Sequence, residues 1–125
     1  AWRGAQVPGA NGHSSALSLA RIYGNAAGLL SAEAIATCGR ELVQGPDAVL
    51  ELETRFSVGF MLPQPHMPFG SGEGSFGHAG AGGSLAFYDP KRRLGFAYVM
   101  NRMGPHILLD PRAYRLLTAV YGEDN

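Results

Sequence analysis

A chain of 125 residues makes one small domain or part of a larger one, and its 46% hydrophobic content is enough for a core. Formal net charge is zero and the sequence pI is near 7.1, which gives no electrostatic basis for binding nucleic acid or an anionic membrane. The single cysteine, Cys38, excludes an internal disulfide, and the four histidines, at 13, 66, 78 and 106, lack metal-ligand spacing. No apolar run approaches the roughly 20 residues of a membrane span.

Residues 1–13 contain Pro8, Gly9, Asn11 and Gly12 and read as a loop. Ser14 or Ser15 can cap a helix whose apolar face is Ala16, Leu19, Ala20 and Tyr23, with Gly24 as its stop. A second helix starts at Ser31, with Glu33 in its first turn favouring the dipole. Ile35, Cys38 and Leu42 supply its buried side, which makes Cys38 a core residue, and Gly45-Pro46 ends it. Glu51 and Glu53 alternate with leucines as exposed residues near a strand start.

Residues 55–62 alternate as a strand does, with Phe56, Val58, Phe60 and Leu62 facing one way. Residues 63–74 carry three prolines and three glycines and form a long loop, a kind of segment that is often functional. Strands follow around His78, at 84–88 and at 94–101, with a turn at 89–93 that Asp89 and Pro90 initiate. Neither face of the last strand is polar, which suits a strand covered by helices on both sides. Asp110 caps a final helix with Pro111 at its first position, an apolar face of Ala113, Leu116, Leu117 and Val120, and Gly122 at its close. The order of elements gives an α+β fold with an antiparallel sheet flanked by helices.

The chemistry concentrates at residues 75–89, where glycines 77, 80, 82 and 83 surround His78. So many glycines leave the backbone open to close approach by a ligand or another strand. A histidine beside such a backbone can carry a proton or donate a hydrogen bond near neutral pH. On these residues alone, a glycine-rich hairpin with His78 as an ordinary polar strand residue is the simpler reading. Gly80-x-Gly82-Gly83 is not followed by a helix, so it is no dinucleotide or phosphate loop, and no cofactor is expected.

The run from Phe76-Gly77-His78-Ala79-Gly80 to Asp89-Pro90, followed by Leu94-Gly95-Phe96-Ala97-Tyr98-Val99-Met100-Asn101-Arg102, resembles the C-terminal part of the serine β-lactamase-like family. That family includes class C β-lactamases, D-alanyl-D-alanine carboxypeptidases and related esterases. Asn11-Gly12-His13-Ser14 and Leu19-Ala20-Arg21 extend the similarity upstream. The resemblance implies the C-terminal part of a serine β-lactamase/transpeptidase-like fold, and an ester, amide or β-lactam substrate. His78-Ala79-Gly80 matches the family's third motif, Lys-Thr-Gly or His-Thr-Gly, on a strand lining the active site. Carried over, His78 would be the hydrogen-bond donor or proton carrier, Gly80 would let substrate lie along the strand, and the Ala81 amide would be an oxyanion donor. Ala79 departs from the usual Thr or Ser, which removes a hydroxyl contact and leaves an esterase or peptidase open.

The family's nucleophile belongs to a Ser-x-x-Lys motif. The only lysine here is Lys91, and the residue three before it is Tyr88. Tyr23-Gly24-Asn25 formally matches the second motif, Tyr-x-Asn, but lies too close in sequence to His78 for the family's spacing. We therefore expect the C-terminal portion of a single domain, inactive by itself, whose partner is a missing N-terminal segment or a second copy. A non-catalytic interaction module that keeps the fold is the alternative. A self-contained enzyme using His13 or His78 with Ser14 or Ser84 has no support in the spacing.

Overall fold

The structure, a computed structural model, describes residues 2–24 and 26–122. A short 3-10 turn at Trp2–Gly4 precedes helices α1 (Ala16–Gly24), α2 (Ala26–Leu29) and α3 (Ala32–Gly39). Strands β1 (Val43–Pro46), β2 (Glu53–Phe56), β3 (Phe76–Ala79), β4 (Leu85–Asp89) and β5 (Leu94–Tyr98) follow, and α4 (Pro111–Tyr121) closes the order. Strands β3, β4 and β5 form an antiparallel sheet in that order, and β1 pairs antiparallel with β2. Met61 joins the two sheets by bridging both Phe56 and Gly77.

The register sorts the side chains onto two faces. Phe76, Ala86, Tyr88, Gly95 and Ala97 share one face with His78, while Gly77, Ala79, Leu85, Phe87, Phe96 and Tyr98 share the other. Helix α1 covers the first face. It fits because small residues line its path: a Cβ added at Gly95 would lie 2.1 Å from the Gly24 nitrogen and 2.2 Å from the Ala20 carbonyl oxygen. Helix α4 covers the second face, where Ala113 and Leu117 join a core of Ala79, Leu85, Phe87, Met61, Met67 and Phe69. The expectation that the last strand is covered on both sides therefore holds.

The caps fall close to where the sequence puts them. Ser15, rather than Ser14, accepts the Ser18 backbone N–H at 3.1 Å and opens α1. The Ser31 hydroxyl accepts from the Ala34 N–H at 3.1 Å, and Asp110 caps α4 from the position before Pro111. The half-buried residues of α1 include Ala16, Leu19, Ala20 and Tyr23, the expected face.

Four expectations need correction. Helix α3 stops at Gly39, so Leu42 is not on its buried side but 57% exposed beside β1. Ile35 and Cys38 do pack against the cluster of Leu62, Phe76 and Tyr88. Residues 55–62 are not one strand: Gly59 takes φ +74°, the Ser57 N–H donates to the Phe60 carbonyl, and the chain folds back on itself. Val58 then sits 52% exposed at the turn, and Met61 rather than Val58 enters the core. The 63–74 loop is as long as expected, and Met67 and Phe69 within it are fully buried. Finally, β5 ends at Tyr98, and the α4 stripe runs Ala113, Leu117, Tyr121 at four-residue spacing, leaving Leu116 45% and Val120 42% exposed.

One buried carboxylate ties these parts together. The Lys91 and Arg92 N–H groups donate to Asp89 Oδ1, as a turn-initiating aspartate requires. Asp89 Oδ2 also accepts from the Ser71 hydroxyl at 2.6 Å and the Tyr121 hydroxyl at 2.8 Å. The long loop, the end of β4 and the end of α4 thus converge on a single side chain. Arg92 lies 4.3 Å over the Tyr121 ring and donates to the Val120 carbonyl, which fixes the same helix end.

Candidate active site

His78 is the outward residue of β3. Phe76 and Ala79 anchor the strand in the two apolar clusters, and the alternation leaves the imidazole exposed on the α1 face. Its Nδ1 lies 2.5 Å from the Ala79 carbonyl oxygen. A carbonyl only accepts, so Nδ1 carries the proton and Nε2 is the nitrogen free to act.

Among the described residues, the strand's outer edge is paired only by Met61. The Met61 N–H donates to the Gly77 carbonyl at 2.8 Å, and the Gly77 N–H donates back to the Met61 carbonyl at 3.1 Å. β3 ends at Ala79, and beyond it the Gly83 N–H donates to the Gly80 carbonyl, so the trans peptide turns the Ala81 N–H away from the hairpin. Ala81 thus presents its N–H outward, and that N–H has no hydrogen-bond partner among the described residues. The turn beyond it is tight. The Gly80 N–H donates to the Ser84 carbonyl and the Gly83 N–H to the Gly80 carbonyl, at 2.8 and 3.0 Å. A Cβ on Gly80 would lie 2.2 Å from the Ser84 hydroxyl oxygen, a contact that a change of Ser84 rotamer relieves.

A shallow cleft of about 200 Å³ runs beside this strand, lined by Leu19 and Tyr23 of α1 and by His78, Ala79, Gly80 and Ser84. Tyr23 packs edge-on to Phe60, and burial pushes its hydroxyl pKa up. Asn25, the other named residue of the Tyr-x-Asn match, lies outside the described residues. His13 is not brought to this cleft; it contacts the Asn11 carbonyl on an exposed segment. Among the described residues no three His, Cys, Asp or Glu side chains are placed to hold a metal. Among the described residues no helix is long and apolar enough to cross a membrane.

A larger cleft of about 520 Å³ lies elsewhere, between α3, Arg55, Pro63 and residues 72–75. Its principal cation is already engaged: Arg55 Nε donates to Glu41 at 2.7 Å and Nη1 to the Pro63 carbonyl. Size therefore does not by itself single out a site.

A comparison of the sequence with family models matches residues 1–120 to the Beta-lactamase family. The chain belongs to the β-lactamase family. It is 36% identical over 116 residues to an esterase/beta-lactamase, LipL, of Mycobacterium tuberculosis, a match covering 85% of this chain and 26% of that protein. Among solved structures it is similar to a family VIII carboxylesterase and to a penicillin-binding protein homolog from Caulobacter crescentus. Each is 40% identical with a TM-score of 0.89, covering 96% of this chain and 34% of theirs. EstA from Arthrobacter nitroguajacolicus matches at 38% identity and a TM-score of 0.78, over 86% of this chain and 31% of that one. The chain thus spans about a third of these structures, and its fold is the corresponding part of the β-lactamase/transpeptidase-like fold.

Two groups near the site were not legible as such in the sequence. Asp110 reads as a helix cap and is one, but its carboxylate also takes a two-pronged contact from Arg112. Hydrogen bonds from Arg112 hold the Asp110 carboxyl well below the usual carboxylate range, and Asp110 in turn raises the Arg112 pKa. Arg112 then reaches the glycine turn, a connection between residues thirty positions apart that no local pattern encodes.

Proposed function

We propose that residues 78–81 form the third-motif wall of an acyl-transfer site, which cleaves an ester, amide or β-lactam bond through an acyl-enzyme. The serine and lysine come from a Ser-x-x-Lys segment outside these 125 residues, and the open outer edge of β5 is where its strands would pair. The observation carrying this reading is the outward, unpartnered Ala81 N–H beside an exposed His78. A rigid amide of this kind stabilises a developing oxyanion, and losing one such donor slows turnover about 100- to 1000-fold. With Nδ1 holding its proton against the Ala79 carbonyl, His78 Nε2 is placed to accept a proton from the reacting groups and to return it. Ala79 offers no hydroxyl, and the relatives named as esterases favour an ester over a β-lactam.

Two results test this. Incubated alone with a fluorophosphonate, a penicillin or an activated ester, the chain should give no stoichiometric adduct by mass spectrometry, whereas joined to a Ser-x-x-Lys segment it should label. A single adduct on Ser14, Ser15 or Ser84 of the isolated chain would overturn the assignment of the nucleophile. No labelling in either form would favour a non-catalytic interaction module.

In the active assembly, His78→Ala should lower turnover by about 100-fold, within the range of a general acid–base group, with the melting temperature unchanged. Full activity, or a variant that fails to fold, would make His78 a structural residue only.

A further inference from the structure

We propose that Arg112 is a positioning residue for the Ala81 amide, acting through two peptide planes of the glycine turn. The proposal rests on the reading of Ala81 as an oxyanion donor. Arg112 sits at the start of α4, and its role is visible in how its fork is used. Nε donates to Asp110 Oδ1 at 2.9 Å and Nη2 to Asp110 Oδ2 at 2.8 Å, which locks the guanidinium plane. The Asp110 carboxylate is buried. Nη1 donates to the Arg102 carbonyl at 2.9 Å, and Nη2 also reaches the Gly82 carbonyl at 3.3 Å.

From Gly82 the connection runs through backbone alone. The Gly82 carbonyl and the Gly83 N–H belong to one peptide plane, and that N–H donates to the Gly80 carbonyl at 3.0 Å. The Gly80 carbonyl and the Ala81 N–H belong to the next plane, and this is the N–H that faces the open edge. The guanidinium, two peptide groups and the free amide are therefore aligned head to tail. Such a chain orients each member and polarises it in the same sense, so a positive charge at one end strengthens the donor at the other.

The rest of the turn is built to keep this line straight. The Gly82 N–H donates to the His106 carbonyl and the Gly104 N–H donates to the Gly82 carbonyl, both at 2.8 Å. Gly82 and Gly83 take φ of +93° and +118°, values that side chains rarely adopt. A Cβ at Gly83 would lie 2.6 Å from Asp110 Oδ2, and one at Gly104 would lie 2.7 Å from the same atom. The glycines of the turn thus make room for the Asp110–Arg112 pair as well as for substrate.

The test uses an active protein carrying this chain with a Ser-x-x-Lys segment, with p-nitrophenyl butyrate as substrate and phenylboronic acid as transition-state mimic. Arg112→Met should lower kcat about tenfold and weaken phenylboronic acid by a similar factor, with KM within about twofold, because only the oxyanion feels the amide. Arg112→Lys should recover part of both. In an Ala81→Pro background, which has no N–H to present, Arg112→Met should cause no further loss. If Arg112→Met changes neither kcat nor the boronic acid affinity while Ala81→Pro lowers both, the Arg112 proposal is overturned and the Ala81 reading stands. If Ala81→Pro keeps full activity, the Ala81 reading fails and this proposal fails with it. Should Arg112→Met not fold, the Ala81 amide resonance in Arg112→Lys decides: a shift supports the relay, and an unmoved resonance overturns it.

Discussion

Gly95→Val should lift α1 off the sheet and cost more than about 3 kcal/mol, beyond the usual range for overpacking. The added Cβ would fall within about 2.2 Å of the Gly24 nitrogen and the Ala20 carbonyl oxygen, and both are backbone atoms that no rotamer change can move. The helix must retreat as a body, which uncovers Ala86, Ala97 and Tyr88 and opens the floor of the His78 cleft. Urea titration monitored by circular dichroism would read the loss as a lower midpoint at unchanged slope. A midpoint equal to that of the parent chain would mean that α1 does not need this close approach.

Asp89→Ala should be nearly as damaging, by about 3 kcal/mol or more, since it removes a charged acceptor from two hydroxyls and two backbone N–H groups at once. Tyr121→Phe removes only one of these bonds and should cost about 1–2 kcal/mol. Burial by itself would raise the Asp89 pKa, but the Ser71 and Tyr121 hydroxyls and the two N–H groups outweigh it and hold the carboxyl below its ordinary value. Burial, then the bond to Asp89, pushes the Tyr121 hydroxyl well above the ordinary phenol range.

The signs of the pH effects follow from these shifts. A depressed carboxyl contributes stability that is present above its unfolded pKa of about 3.9 and lost as pH falls through the folded value. A raised phenol contributes stability that is present below its unfolded pKa of about 10 and lost as pH rises toward the folded value. The parent chain should therefore lose stability below about pH 4 and above about pH 10 more steeply than Asp89→Ala does. Parallel pH profiles for the two proteins would show that this cluster is not the cause.

Much of the fold was legible because its signals are local. Ser31 and Asp110 declare helix starts through cap chemistry, and the apolar alternation from Leu94 declares a strand with two covered faces. The failures have a common cause. Gly59 could have been a weak spot in a strand or the pivot of a turn, and only pairing of Met61 with Gly77 decides which. Leu42 fits the helical spacing of Ile35 and Cys38, yet its segment is taken by pairing with β2. Within the site, His78 and the glycines around it were visible from sequence, as was the departure at Ala79. Arg112 was not, because its partners at Gly82 and Arg102 are brought to it only by the folded chain.

The contact between α1 and β5 has a consequence for how this chain tolerates change over time. It is a seam of main chain against main chain, so it takes no notice of side-chain chemistry and asks only for thinness. The demand is also lopsided. A Cβ at Gly24 would find its nearest neighbour at 3.4 Å and fit with little adjustment, whereas the same atom at Gly95 collides. The exposed residues of α1, such as Leu17 and Ile22, can therefore drift a long way in character while the helix stays where it is, and the strand position at Gly95 cannot drift at all.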